Sequence, residues 1–370
     1  MKTITVVLCL FTTFIVIAVV VVTIFVAMDT EGSEDNTKLG KYFKQKKISI
    51  LNSIEGIEFV NISNYITKKI NPGPDINKAL IEHRYVLFPK SLYSIFSDQI
   101  SIPSNTIIKF EEGLTLLARR PYATNETNNC LFSFDGVNNV TFIGNGLRIY
   151  LSKDKNSTDD FPVLCIKGSS NILIMDFGVI GSDGEGIVIS GGDNKKYSEN
   201  IEIKNVNIDH CKRGLRIQSV NTLRIYRLAV KYSYDKETSG AIKIAAENPD
   251  DALEDIIIEN LVTERNKNSG LEISPKNYQL VLTIRDYESR HDSGRAPIYF
   301  KHSPKFGKVI LDNLSVTNEQ LISAIFKEWN TNNCIIDIIE PKLDWKPGFL
   351  YGIEEEHNLY TNLEQLNIKP

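Results

Sequence analysis

Asn200-Ile201-Glu202-Ile203-Lys204-Asn205-Val206-Asn207-Ile208 reads as Asn, apolar-x-apolar, a short polar bend, then apolar-x-apolar again. Variants begin at Asn139, Asn171, Thr222, Asp255, Gln279, Lys308 and Asn333, so successive copies lie 32, 29, 22, 33, 24, 29 and 25 residues apart. A unit that returns every ~20 to 35 residues is the mark of a solenoid. Inside each unit apolar and polar residues alternate with period two, which builds strands and not helices. The pattern predicts an all-β chain wound as a parallel β-helix.

Each coil is expected to hold three strands. The first is a short run such as Gly186-Ile-Val-Ile-Ser, Gly214-Leu-Arg-Ile-Gln, Gly240-Ala-Ile-Lys-Ile, Gly270-Leu-Glu-Ile-Ser or Pro297-Ile-Tyr-Phe-Lys. The other two flank the polar bend, placing Asp176, Asn205, Arg227, Asn260 and Asn313 at equivalent positions. Stacked Asn side chains can hydrogen-bond along the axis and satisfy a tight bend, so Asn313 is expected to be a poor glycan acceptor.

The chain has 370 residues, 42% of them hydrophobic, and a formal net charge of −4, which gives no case for nucleic-acid binding. No Cys-His cluster has zinc spacing. The spacings of Cys130, Cys165, Cys211 and Cys334 do not suggest a stapled scaffold, so they read mainly as core residues.

Ile4 to Met28 is a 25-residue stretch without charge. As a helix it would reach roughly 37 Å, longer than the hydrocarbon core needs. It reads as an uncleaved signal-anchor, since a cleaved leader usually has a shorter apolar region. Lys2 precedes it and Asp29, Glu31, Glu34 and Asp35 follow it, so the amino terminus is expected in the cytoplasm and the body outside or in a lumen. Sequons at Asn61, Asn125, Asn139, Asn156 and Asn313 agree with export but weigh little. The expected layout is a cytoplasmic stub (1–3), the membrane segment (4–28), a polar lead-in (29–70), the β-helix (71–343) and a terminal cap (344–370).

Pro72-Gly73-Pro74-Asp75 followed by Ile76, Leu80 and Ile81 at helical spacing predicts a short helix that caps the solenoid. Phe88-Pro89-Lys90-Ser91-Leu92-Tyr93 and then Ser104-Asn105-Thr106 follow. This stretch, with the repeats, resembles the opening of the pectin-lyase-like right-handed β-helix superfamily, although Ser91 or Leu92 replaces the usual Gly. The resemblance covers roughly residues 71 to 340. It implies a right-handed helix whose first-strand sheet carries the ligand groove.

On that sheet Ile187/Ile189, Leu215/Ile217, Ile242/Ile244, Leu271/Ile273 and Ile298/Phe300 should point inward. One outward row is Val188, Arg216, Lys243, Glu272 and Tyr299, and a second is Ser190, Gln218, Ala245, Ser274 and Lys301. The loops entering the sheet are densely charged. They bring Asp183 and Glu185, Asp209, His210, Lys212 and Arg213, then Asp235, and later Glu264 and Arg265.

The function expected from these rows is recognition, with cleavage or epimerisation, of an acidic polysaccharide. Proton abstraction beside a uronate needs a base of lowered pKa and a cation on the carboxylate. Lys243 beside Arg216 supplies those types, Lys243 as base and Arg216 as clamp. Asp209 and His210 join the catalytic set. Tyr299, Lys301, Gln218, Arg265 and Asp183 are the expected substrate contacts. The resemblance also implies calcium, for which Glu272 and Asp235 would give oxygens.

A second reading is glycoside hydrolysis by paired carboxylates. Ser182-Asp183-Gly184 loosely resembles the Asn-Thr-Asp-Gly signature of polygalacturonases, and Asp209-His210 falls where an Asp-Asp pair belongs. Gly-His-Gly and Arg-Ile-Lys are missing. A third is a non-catalytic β-helix for glycan binding, adhesion or coat structure. His83, His302, His357, Trp329 and Trp345 read as lying outside the groove or as packing.

Overall fold

A computed structural model describes residues 38 to 369 apart from 68–71, 93, 97–98, 120–129, 153–160, 194–195, 236–239, 249–250, 277–278, 294–295, 303–305, 318–322, 328–333, 340–341, 344–348, 356–357 and 361–365. The apolar stretch Ile4 to Met28, the sequons at Asn125 and Asn156, and His357, Trp329 and Trp345 lie outside the described residues. Among the described residues no helix is long and apolar enough to cross a membrane.

The chain divides into two compact units, Met1–Glu55 and Gly56–Pro370. In the first, Lys38–Ser53 is an α-helix where the sequence reading saw only a polar lead-in. The run after Gly40 holds neither Pro nor Gly until Gly56, so nothing breaks the helix earlier.

The second unit is a solenoid of two sheets. A long sheet stacks strands such as Ser170–Ile180, Ser198–Asp209, Val220–Lys231, Leu253–Glu264, Gln279–Arg290 and Phe306–Thr317, each parallel to the next. A shorter sheet stacks Leu164–Lys167, Glu185–Ser190, Arg213–Ile217, Ile242–Ala245, Leu271–Ser274 and Ile298–Phe300, also in parallel. The second and third strands expected of each coil are thus one long strand, bent midway. The bends are single residues at positive φ: Asp176, Asn205, Arg227, Asn260, Asp286 and Asn313, all between 54° and 59°. Asn and Asp tolerate that conformation because their short side chains bond locally. Asn205 Nδ2 donates to Asp176 Oδ1 at 3.0 Å, and Asn313 Nδ2 to Asp286 Oδ1 at 2.6 Å.

The leading Asn of the repeat has the same geometry. Asn105, Asn139, Asn171, Asn200, Thr222 and Asp255 are all at positive φ. Asn139 donates to Asn105, Asn171 to Asn139 and Asn200 to Asn171, at 3.0, 3.2 and 2.5 Å. Asn139 and Asn313 therefore commit their Nδ2 atoms, which works against glycan attachment at these two sequons. Later units drop this corner. Gln279 and Lys308 do not align; Gln279 pairs with Phe306 and Val281 with Lys308. The slip is two residues, so every side chain keeps its face.

The inward rows form one core. Ile187, Ile189, Leu215, Ile217, Ile242, Ile244, Leu271, Ile273, Ile298 and Phe300 all belong to it. Gly214 shows why Gly opens these short strands: a Cβ there would lie 2.4 Å from Val230 Cγ1. A helix, Gly73–Glu82, sends Ile76, Ala79 and Leu80 into the same core. Parallel pairing begins earlier than expected, with Val60 opposite Val86, and continues past residue 343, with Leu366–Lys369 on Cys334–Ile339.

Cys130 and Cys165 form a disulfide, and Cys211 is a buried thiol. For this pair the disulfide that an oxidising compartment permits replaces the mainly-core reading. Their separation of 35 residues is about one coil, and stacking brings the Cα atoms within 6.0 Å, the distance a disulfide needs.

Candidate functional site

The outward face of the shorter sheet carries one continuous register. Ser133, Cys165, Val188, Arg216, Lys243, Glu272 and Tyr299 stand opposite one another on successive strands. Adjacent strands are ~4.8 Å apart, so these side chains form a line. Solvent reaches only part of it. The Arg216 and Lys243 side chains are 28% and 21% exposed, while Glu272 is 1% and Tyr299 6% exposed. At one end Cys165 and Val188 pack with Cys130, and at the other Tyr299 packs with Ala296.

The row expected as an open platform is therefore covered at both ends and open over two neighbouring cations. Tyr299, expected as a substrate contact, is buried and packs with Ala296. Glu272 and Asp235, expected as metal oxygens, both bond within the chain. Glu272 Oε2 accepts the Gly240 N–H at 3.0 Å, and Asp235 Oδ2 accepts Arg213 Nη2 at 2.7 Å. Among the described residues no group of three His, Cys, Asp or Glu could hold a metal ion.

Arg213, one of the charges expected in the loop rim, is the hub of this region. It is buried, and its Nη1 donates to Glu185 Oε1 at 2.9 Å while Nη2 holds Asp235. Glu185 also lies 3.4 Å from Arg216 Nε. The signal is in the repeat: Glu185-Gly186 and Arg213-Gly214 occupy the same place at the start of their strands, and Glu185 and Arg213 are register partners. Opposite charges in register across adjacent coils should pair. A buried pair of this kind needs its full hydrogen bonding, because losing one partner strands a charge.

Lys243 Nζ lies 3.4 Å from Glu247 Oε1, and Glu272 is its register neighbour. The like-charge surroundings expected of Lys243 are therefore offset by two carboxylates, which weakens the argument for Lys243 as base. Burial pushes the Glu272 carboxyl above its ordinary range, against the lowering pull of Lys243, the Gly240 N–H, Lys301 and Arg213. Gln218 Nε2 reaches Asp251 Oδ2 at 3.4 Å, and Ser274 bonds His302 at 2.8 Å.

Three expected residues lie elsewhere, at the corner where the long strands end. His210, Tyr232, Arg265 and His291 are all there at positive φ. His210 pairs with Asp209 at 2.5 Å and stacks on Tyr232 with ring centres 4.8 Å apart. Arg265 Nη1 donates to the Tyr232 hydroxyl at 2.9 Å. Asp209, His210 and Arg265 thus belong to a corner stack, away from the Arg216–Lys243 row. Asp183 accepts the Tyr234 hydroxyl at 3.1 Å, so Ser182-Asp183-Gly184 is a hydrogen-bonded turn.

The two-sheet parallel solenoid defines the class of protein. The chain has the right-handed parallel β-helix fold. No family model and no curated protein matches the sequence. Among solved structures it is similar to a 1,3-α-1,4-β-D-galactose-4-sulfate-3,6-anhydro-D-galactose-2-sulfate 4 galactohydrolase, with a TM-score of 0.64 and 12% identity over 80% of this chain and 90% of that one. It is similar also to an iota-carrageenase complexed to iota-carrageenan fragments, with a TM-score of 0.63 and 11% identity over 83% and 93%. An iota-carrageenase from A. fortis gives a TM-score of 0.64 and 11% identity over 84% and 93%. At these identities the likeness concerns the fold.

Proposed function

We propose that the chain recognises an anionic polysaccharide along the outward face of its shorter sheet, between the covered ends of the row. The observation that carries this reading is the in-register pair Arg216 and Lys243, the described members of that row open to solvent. Partly desolvated cations on a rigid sheet bind carboxylate or sulfate groups with little reorganisation. The fold neighbours named for carrageenan support a glycan ligand. The body would be exported and held by Ile4 to Met28 as a signal-anchor, with Gly73–Glu82 closing one end of the core.

The test incubates the full chain with uronate-containing and sulfated polysaccharides, with and without calcium. Reducing ends and unsaturated-uronate absorbance are read together. New reducing ends without absorbance would mean hydrolysis, and a rise in both readouts would mean elimination. Binding without either would leave a recognition module, and absence of binding to every anionic glycan would end the proposal.

A further inference from the structure

The open part of the row is short, and its chemistry sets the spacing of the charges it can take. Arg216 and Lys243 are direct register partners on adjacent strands, so their stems rise ~4.8 Å apart along the axis. That step is about the length of one pyranose unit. Two carboxylates guard the pair: Glu185 lies 3.4 Å from Arg216 Nε and Glu247 lies 3.4 Å from Lys243 Nζ. Glu185 is buried and also held by Arg213, whereas the Glu247 side chain is 34% exposed. A ligand anion can therefore displace Glu247 far more easily than Glu185.

The next cations along the face are Lys167 and Lys301, both in the other outward row. Lys167 lies two coils before Arg216 and Lys301 two coils beyond Lys243, and the charge of Lys301 acts on the buried Glu272. Neither stands in register with the pair.

We infer that the groove selects glycans with anionic groups on neighbouring sugars over glycans charged on every second sugar, and that Glu247 is the gate on the Lys243 half of the site. This rests on the anionic-polysaccharide reading above and narrows it. A chain charged on each sugar can meet Arg216 and Lys243 together. A chain charged on alternate sugars meets one and leaves the other facing its guard carboxylate.

Calorimetric titration of the full chain with matched hexasaccharides tests this. One pair carries carboxylates on every sugar or on every second sugar, a second carries sulfates in the same two patterns, and a neutral hexasaccharide is the control. The expected result is about tenfold tighter binding of the every-sugar member in at least one pair, a difference set by one added charge contact. Lys243→Gln should bring that ratio close to one, and Glu247→Gln should tighten the every-sugar ligand about threefold. Both residues are partly exposed, and thermal unfolding by circular dichroism would verify that the variants fold. Equal binding of both patterns, or a ratio that survives Lys243→Gln, would overturn the spacing inference and leave the broader reading standing. Failure of all charged ligands, or equal binding of the neutral one, would overturn both.

Discussion

Phe110 and Asp292 are both fully buried in the same solenoid, yet they fill it by opposite means. Around Phe110 the core is a stack of rings, with Phe88, Phe142 and Phe132 centred 4.6, 4.8 and 6.2 Å away. Around Asp292 it is a net of polar groups. Asp292 Oδ1 accepts the Asn266 N–H at 3.1 Å and its Nδ2 at 2.8 Å. Oδ2 accepts the hydroxyls of Thr263 at 2.5 Å and Ser289 at 2.7 Å. A Cβ on Gly270 would lie 2.6 Å from that same oxygen, so the net leaves no room for a side chain there. The net belongs to a row of residues that each follow a corner residue: Ser182, Cys211, Ser233, Asn266 and Asp292, all buried. The ring stack depends on contact area alone, while the polar net depends on every donor keeping its acceptor.

The comparison breaks most sharply at the aromatic end. Phe110→Ala removes a ring that three others touch, and should lower stability by about 3–5 kcal/mol in urea unfolding. A smaller loss would mean that Phe88 and Phe142 close over the gap. At the polar end Asp292→Ala leaves two hydroxyls and two Asn266 donors without their acceptor, a loss of about 2–3 kcal/mol. The deficit is smaller because the Thr263 hydroxyl, 3.0 Å from the Tyr287 hydroxyl, has another partner to turn to. An Asp292→Ala loss equal to that of Phe110→Ala would show the net to be cooperative.

The smallest effect is one of slope. Burial raises the Asp292 carboxyl above its ordinary value of 3.8, against hydrogen bonds from Thr263, Ser289 and Asn266. The folded state therefore keeps a proton that the unfolded chain gives up. That contribution to stability is complete below pH 3.8 and is lost as the pH rises through the folded value. Asp292→Asn should abolish this part of the decline, which the difference in unfolding midpoint between wild type and variant across pH 4–8 would reveal. Parallel curves would mean that Asp292 is ionised in the fold throughout.

The sequence states its backbone more openly than its surface. The inward isoleucines and leucines, the Asn and Asp bends, and the Arg216–Lys243–Glu272–Tyr299 register follow from period and from the αL tolerance of Asn. Those depend on a few neighbouring residues. Whether Tyr299 or Glu272 meets solvent depends on which loop folds over it, and periodicity carries no such information. The slip between Gln279 and Lys308 was hidden because a two-residue shift preserves alternation. The Glu185–Arg213 pair and the Cys130–Cys165 bridge were legible in principle, since each joins equivalent or near-equivalent places one coil apart. They needed the register before they could be seen.

That bridge changes how the tube would come apart under load. Coils of a solenoid touch only their neighbours, so one peeled from its C-terminal end can release them singly. At Cys165 the peeling meets a covalent tie back to Cys130, and the 35-residue loop between them cannot be drawn out. Tension arriving there is carried by the sulfur link, so the two coils it joins must hold or yield as one piece.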